Sequence, residues 1–140
     1  MPSVLVLGYD RSDGAKAALD KAVELAKLDG SRIAVVFGSE IPAAYGGETG
    51  DYRRAVRTIG EEAVAEGAER VRSAGVECDV ELVPERAVTA LLQTAEAKQA
   101  SMIIVGTHGE HPIAGALLGS VPFKLLHLSP VPVLVVPAGS

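Results

Sequence analysis

Three glycines and a serine follow an apolar run late in the chain, at a spacing that suits a phosphate-binding turn. Gly106 ends the run Met-Ile-Ile-Val, and Gly109, Gly119 and Ser120 follow it. Glycine allows positive φ angles and close approach of a ligand, and clustered main-chain N–H groups can hold an anion. No lysine or arginine lies in this segment, so the predicted chemistry is phosphate binding by main-chain amides. A tight turn before an ordinary helix is the alternative that the glycines leave open.

Ser120 is predicted to begin and cap a short helix, whose N-terminus adds unpaired N–H donors and a partial positive charge. His108 and His111 flank Glu110 in the loop. The two histidines have no further ligand nearby in the sequence. We therefore expect no protein-bound metal, and we interpret His108 as a neutral hydrogen-bond donor to phosphate. His127, on the short helix, is interpreted as structural.

Other motifs for nucleotides and nucleophiles are absent from the sequence. There is no Gly-Lys dipeptide, which excludes a P-loop, and no Gly-x-Gly, which excludes the dinucleotide fingerprint. There is also no Gly-x-Ser-x-Gly nucleophile elbow. The residues alone therefore predict no catalytic group.

The sequence around this loop predicts strands and helices that alternate along the chain. Apolar runs predict buried strands, strict alternation predicts a half-exposed strand, and a 3.6-residue period predicts helices. In chain order the predictions are a strand at 4–7, a helix from Ser12 or Asp13 to Gly30, a strand at 33–37, a polar helix with a solvated face at 52–73, an alternating edge strand at 76–83, a helix at 87–100, a strand at 101–105, a helix at 120–128 and a strand at 131–136.

This order predicts a single α/β domain over residues 1–140, with a doubly wound parallel sheet between two layers of helices. Such sheets bind ligands beyond the carboxyl ends of their strands, where the strand order reverses. Three segments are expected to meet there: Gly8-Tyr9-Asp10, the Phe37-Gly38-Ser39 turn, and the glycine loop.

Composition excludes several classes of partner. The 140 residues carry a net charge of −5 with no basic run, and they include no tryptophan. Nucleic acid and anionic membrane surfaces are therefore not expected as partners. No segment has the features of a signal peptide or a membrane span. Cys78 is the only cysteine. Because one cysteine cannot form a disulfide within the chain, the sequence predicts a cytoplasmic protein.

The complete spacing Gly106-x2-Gly109-x9-Gly119-Ser120 resembles the ATP-binding motif of the universal stress protein family. The opening strand, turn and helix and the closing Pro-Val-Leu-Val-Val-Pro are similar to the family's as well. The likeness covers nearly the whole chain and is weakest at 38–72. It implies a Rossmann-like sheet of the adenine nucleotide alpha hydrolase-like type, with five strands in the order 3-2-1-4-5. It also implies a homodimer that pairs through the last strand, Val131 to Val136.

The resemblance also implies which residues contact a nucleotide. Asp10 matches the acidic residue that contacts the ribose, with helix capping as its alternative role. Phe37 matches the residue whose main chain recognises adenine, although its side chain could belong to the core. The implied ATP contacts are Gly8, Tyr9, Asp10, Phe37, Val105, Gly106, His108, Gly109, Gly119, Ser120 and Val121.

Three positions depart from the family's pattern. Arg11 stands where the family often has glycine, and its side chain either reaches phosphate or, as we favour, points to water. Pro122 replaces a serine or threonine and removes an N–H near the phosphates. Glu110 stands in a loop where many members have a basic residue. These changes favour AMP or ADP over ATP, unless Lys124 or a bridging Mg²⁺ compensates.

The resulting expectation is a non-enzymatic, dimeric regulatory protein of the stress response. It would bind ATP, or ADP or AMP, and act on a protein partner that the sequence does not identify. A slow ATPase or autokinase is the enzymatic alternative, with Arg11 or Lys124 as its only candidate cations. A family member that has lost nucleotide binding and acts as an interaction module is the third possibility.

Overall fold

Strands and helices alternate in the computed structural model, which describes residues 3–40, 50–108 and 118–138. Within those residues the elements are β1 (Val4–Gly8), α1 (Asp13–Asp29), β2 (Arg32–Gly38), α2 (Gly50–Ser73), β3 (Cys78–Val83), α3 (Ala87–Ala97), β4 (Met102–Gly106), α4 (Ser120–Leu128) and β5 (Val133–Val136). The strands form one sheet in the order β3-β2-β1-β4-β5, and each neighbouring pair is parallel. The predicted fold class and strand order are therefore confirmed.

Two hydrophobic clusters cover the two faces of this sheet. The side chains of α1 and α2 pack with Leu5, Leu7 and Ile33 on one face. The side chains of α3 and α4 pack with Val6 and Ile103 on the other. Because β1 and β4 are covered on both faces, the three middle residues of each strand are buried, as expected of central parallel strands.

The ends of α1 follow the sequence signals. Ser12 Oγ accepts a hydrogen bond from the N–H of Ala15 at 3.1 Å and caps the helix. At the other end, Gly30 adopts a left-handed conformation with φ of 77° and donates its N–H to Ala26 O at 2.8 Å. Both residues take the terminal roles predicted for them.

The alternating strand β3 lies at a sheet edge, as its period predicted. Its acidic residues are paired with basic residues of β2 and of the turn after α3. Arg32 Nη2 lies 2.8 Å from Asp79 Oδ1, and Arg32 also bonds Glu77. Lys98 Nζ lies 3.5 Å from Glu81 Oε2. The hydrogen bond from Arg32 holds the pKa of Asp79 below its usual range. These charges make the edge a poor template for pairing with another strand.

The last strand is shorter than predicted. The sequence predicts a strand at 131–136, whereas β5 spans Val133–Val136. Pro132 has no N–H to donate, but its carbonyl still accepts a hydrogen bond from Ile103 N at 2.9 Å. β5 forms the second edge of the sheet.

No helix in the described parts of the chain is long and apolar enough to cross a membrane.

Candidate functional site

The carboxyl ends of β1, β2 and β4 lie along one edge of the sheet. β1 is the central strand, flanked by β2 on one side and by β4 on the other. The chain first builds outward from β1 to β3 and later crosses back to β4, so the strand order reverses between β1 and β4. This is where doubly wound sheets form a ligand-binding crevice. Gly8, Gly38 and Gly106, which end these strands, all lie on this edge.

Two glycines bring the first turn of α1 into contact with the end of β4. A Cβ atom added to Gly106 would lie 2.5 Å from the carbonyl carbon of Gly14. A Cβ atom added to Gly14 would lie 2.7 Å from His108 O. Both obstructing atoms belong to the main chain and cannot rotate away. Gly14 was not identified from the sequence, where its signal is a glycine in the first turn of a predicted helix.

A short hydrogen bond closes the glycine loop at its base. Gly119 donates its N–H to Thr107 O at 2.6 Å, and Thr107 donates to Val136 O at 3.1 Å. The loop is thereby tied to the ends of β4 and β5. Thr107 was not singled out from the sequence. Gly109, Glu110 and His111, which the sequence analysis did single out, lie outside the described residues.

The start of α4 differs from the prediction in one respect. The capping residue is Gly119 rather than Ser120, and no side chain caps this helix. The bond to Thr107 holds Gly119 in an extended conformation, so Ser120 becomes the first helical residue. The N–H groups of Ser120 and Val121 have no acceptor within the helix, because no helical turn precedes them. Ser120 is exposed and Pro122, which follows Val121, is buried. The helix therefore presents two main-chain donors and one hydroxyl.

Asp10 forms the turn between β1 and α1. Its Oδ1 accepts a hydrogen bond from Ser12 N at 3.0 Å, while Ser12 caps α1. Asp10 therefore bonds the capping residue, while the cap itself, which was the alternative role of Asp10, is Ser12. Asp10 Oδ2 has no partner among the described residues. One carboxylate oxygen beyond the end of β1 is thus left to accept further hydrogen bonds.

Tyr9 is turned away from the crevice and held by α2. Its side chain is 2% exposed, its hydroxyl donates to Glu66 Oε2 at 2.5 Å, and its N–H donates to Val36 O at 3.0 Å. Burial raises the pKa of Tyr9 to about 12, helped by the hydrogen bond to Glu66. The same bond lowers the pKa of Glu66. On the polar helix, which was predicted to have a solvated face, the side chain of Glu66 is therefore partly buried against Tyr9.

We expect replacement of Tyr9 by phenylalanine to change the alkaline limit of stability. A phenol whose pKa is raised on folding stabilises the protein fully below pH 10 and loses that contribution as pH rises towards 12. Two pKa units correspond to about 2 to 3 kcal/mol. In urea unfolding at pH 9 and pH 12, the wild type should lose this much more stability than Tyr9→Phe. Equal losses would show that the hydroxyl is not buried in this way.

The side chain of Arg11 is 46% exposed, in keeping with the expectation that it points to water, and it pairs with carboxylates of α2. Its guanidinium lies 3.3 Å from Glu66 Oε1 and 3.6 Å from Glu62 Oε2. The main chain of Arg11 is left-handed, with φ of 70°. This is a conformation that side chains disfavour and glycine adopts freely.

The side chains of two further candidates belong to the core. Phe37 is half-buried and packs on α2, where a Cβ atom added to Gly60 would lie 2.9 Å from its ring. Val105 is buried, and it is the nearest side chain to the Cβ position of Gly8, at 3.1 Å. Val105 can therefore offer only main-chain groups to a ligand, whereas the ring of Phe37 is partly accessible. Two glycines of α2 leave room for aromatic rings: Gly67 packs against the ring of Tyr9, and Gly60 packs against the ring of Phe37.

His127 has a structural role, as interpreted from the sequence. Its Nδ1 lies 2.9 Å from Phe123 O, and the two rings have centroids 4.7 Å apart. Within residues 3–40, 50–108 and 118–138, no group of three or more His, Cys, Asp or Glu side chains is placed to hold a metal ion.

Solved structures share this fold over nearly the whole chain. A universal stress protein from Lactobacillus plantarum superimposes with a TM-score of 0.83 at 16% identity, covering 96% of this chain and 97% of that one. A universal stress protein in complex with cAMP has a TM-score of 0.75 at 25% identity and 98% coverage of both chains.

Two more solved family members are complexes with nucleotides. One, from Archaeoglobus fulgidus with dAMP, has a TM-score of 0.69 at 24% identity and covers 97% of this chain and 98% of that one. The other, from Arabidopsis thaliana with AMP bound, has a TM-score of 0.73 at 12% identity and covers 99% and 94%. At these identities the likeness shows the fold alone.

Sequence comparison leads to the same family. The model of the universal stress protein family matches residues 1–137. A universal stress protein of Thermus aquaticus is 34% identical over 137 residues, which cover 97% of this chain and 99% of the relative. The chain therefore belongs to the universal stress protein family.

Proposed function

We propose that this protein is a non-enzymatic regulatory protein that binds an adenine nucleotide in the crevice between β1 and β4. One observation carries the proposal: the first turns of α1 and α4 both pack on the segment from Gly106 to His108. Cβ atoms added to Gly14 and Gly119 would lie 2.7 Å from His108 O and 3.4 Å from His108 Cα. The carboxylate of Asp10 and the amides that begin α4 therefore flank the same short segment, as a ribose and its phosphate require.

The solved family members with cAMP, dAMP and AMP support this proposal. Their ligands share an adenine base, a sugar and a single phosphate group. By analogy, we expect the main chain at Phe37 to contact the base, Asp10 to accept hydrogen bonds from the ribose hydroxyls, and Gly106 and Ser120 to lie on the phosphate side. The sequence predicts the same side for Gly109, which lies outside the described residues. Among the remaining predicted contacts, the main chains of Gly8, Val105, His108, Gly119 and Val121 would complete the wall around them, whereas the side chain of Tyr9 is buried against α2.

The phosphate side suits a short phosphate tail better than ATP without a metal ion. Gly119 N–H is already bonded to Thr107, and Pro122 has no N–H, so α4 offers donors only from Ser120 and Val121. Arg11 is paired with the carboxylates of α2. Lys124, exposed one turn into α4, is a second cation near this end. We therefore propose AMP or ADP as the preferred ligand, with ATP binding aided by Mg²⁺.

Calorimetric titration with AMP, ADP and ATP, each with and without Mg²⁺, tests this function. We expect AMP to bind at least as tightly as metal-free ATP, and Mg²⁺ to improve ATP binding more than AMP binding. The absence of binding by all three at millimolar concentration would contradict the function and favour an interaction module. Binding accompanied by steady phosphate release would favour the slow ATPase.

We place the protein in the cytoplasm, because Cys78 is a buried free thiol.

We also propose a homodimer that pairs through β5, as the sequence suggested for Val131 to Val136. β5 is an uncharged edge strand, unlike β3. On the face of the sheet where Val133 and Val135 pack, α4 exposes three apolar side chains, those of Phe123, Leu126 and Leu128. A second copy related by a two-fold axis would cover both the edge and these side chains.

Replacing Leu126 by lysine is expected to convert the dimer to a monomer, because the charge would be buried against the partner. Leu126 is 53% exposed, so the substitution should hardly change the stability of a single copy. Leu28→Lys is the matched control, since Leu28 is 78% exposed at the far end of α1. Sedimentation velocity should show a monomer only for Leu126→Lys. A dimer in both variants would exclude this face from the interface.

A further inference from the structure

We propose that Glu62 and Glu66 of α2 hold Arg11 in its left-handed conformation and thereby position Asp10 for the ligand. The inference rests on the proposed nucleotide site and identifies positioning residues for it. Arg11 follows Asp10 directly, and its φ of 70° sets the direction in which the chain leaves β1. The three residues Arg11, Glu62 and Glu66 are called the Arg11 cluster below.

The conformation of Arg11 needs an explanation because it is unfavourable for a residue with a Cβ atom. Among the described residues outside glycine, only Arg11 and Gln99 have a positive φ. Such a conformation persists where the surroundings compensate its cost. A glycine would adopt this φ without strain. Arg11 must therefore be held by interactions that glycine would not need.

The Arg11 cluster supplies those interactions from a fixed anchor. Glu66 is bound on its other side by the buried hydroxyl of Tyr9 at 2.5 Å, and its side chain is only 33% exposed. The ring of Tyr9 in turn packs at Gly67 of the same helix, where an added Cβ would be 3.0 Å away. Arg11 is thus paired at the surface with a carboxylate whose other oxygen is held by Tyr9, and an ion pair contributes more where one partner is fixed in this way.

The turn that follows links Arg11 to the site. Asp10 Oδ1 accepts the N–H of Ser12 at 3.0 Å, so Asp10 and Ser12 are joined across Arg11. A change of Arg11 to a negative φ would convert this turn to another type, because the sign of φ at this position distinguishes the turn types. The carboxylate of Asp10 would then move relative to the start of α1.

Two substitutions of the same residue test this inference because they have opposite expected results. Arg11→Gly loses the ion pairs but adopts the left-handed conformation freely, so its Kd for AMP should stay within about twofold of the wild type. Arg11→Ala loses the ion pairs and keeps the strain, so its Kd should rise about tenfold. These values can be measured by titration calorimetry.

Neutralising the two carboxylates tests the other side of the Arg11 cluster. The double variant Glu62→Gln, Glu66→Gln should resemble Arg11→Ala, since the amide oxygen introduced by Glu66→Gln would still accept from Tyr9. Adding Arg11→Gly to this double variant should restore binding. Arg54→Ala, which breaks the ion pair with Asp51 on the same helix, is the control and should leave the Kd unchanged.

The outcomes distinguish this inference from its alternatives. Equal weakening by Arg11→Gly and Arg11→Ala would show that the guanidinium itself contacts the nucleotide. Unchanged binding in both would show that the cluster positions nothing. If the wild type binds no adenine nucleotide, the proposed function fails, and hydrogen exchange at the Ser12 amide then decides the positioning role. That amide should exchange faster in Arg11→Ala than in Arg11→Gly, and equal rates would overturn the inference.

Discussion

Replacement of Gly106 by alanine is expected to abolish measurable nucleotide binding and to lower the free energy of unfolding by about 3 kcal/mol. The added Cβ would lie 2.5 Å from the carbonyl carbon and 2.7 Å from the carbonyl oxygen of Gly14. Because these atoms belong to the first turn of a packed helix, α1 would have to move away from β4. That movement would separate the Asp10 turn from the segment on which α4 begins.

Gly50→Ala is the matched control for this substitution. Gly50 begins α2, and among the described residues the nearest group to an added Cβ there would be the side chain of Arg54, at 3.6 Å. We expect this variant to keep its stability and its affinity for AMP. Thermal unfolding should show a Tm lower by about 10 °C for Gly106→Ala alone. Unchanged Tm and Kd in Gly106→Ala would contradict the close approach of α1 and β4.

Replacement of Asp10 by alanine is expected to weaken AMP binding by about 10- to 100-fold. Hydrogen bonds to a charged carboxylate contribute about 1.5 to 3 kcal/mol, and about 1.4 kcal/mol corresponds to a factor of ten. Asp10→Ala also removes the acceptor of Ser12 N, so stability should fall by about 1 kcal/mol. Asp10→Asn keeps an acceptor for Ser12 and should retain most of that stability.

Asp13→Ala controls for the general loss of negative charge near the crevice. Asp13 is an exposed carboxylate in the first turn of α1, close to Asp10 in the chain. If nearby carboxylates simply repelled the phosphate, both alanine variants would bind AMP more tightly. The proposed role instead requires a loss of affinity in Asp10→Ala only. Titration calorimetry at one ionic strength separates these results.

The fold could be predicted from the sequence because its signals are local. Apolar runs identified β1, β2 and β4, alternation identified the edge strand β3, and Ser12 and Gly30 marked the ends of α1. The strand order 3-2-1-4-5 came from the family resemblance rather than from periodicity. Each of the local features depends on the residue itself or on its near neighbours in the chain.

The parts of the site that were missed depend on contacts between distant segments. The approach of Gly14 to Gly106 requires the packing of α1 on β4, which no local pattern encodes. The left-handed Arg11 and its bonds to α2 likewise follow from where that helix crosses the sheet. Ser120 was wrongly assigned as a cap because the bond from Gly119 to Thr107 could not be foreseen.

A recognisable signal did exist in α2. Gly60 and Gly67 lie seven residues apart in that helix, on the face that leaves room for the rings of Phe37 and Tyr9. Because glycine is unfavourable inside a helix, two glycines at this spacing indicate that bulky groups pack against the backbone there. The pattern could have shown that the polar helix has a packed face as well as a solvated one.

The central claim is that main-chain amides at the start of α4 hold the phosphate of an adenine nucleotide. The most direct measurement is the change in amide chemical shifts when labelled protein is titrated with AMP. We expect the amides of Ser120 and Val121 to shift most, together with those around Asp10. Saturation by AMP with these amides unmoved, and with shifts at a distant surface such as Arg32 and Glu77, would contradict it.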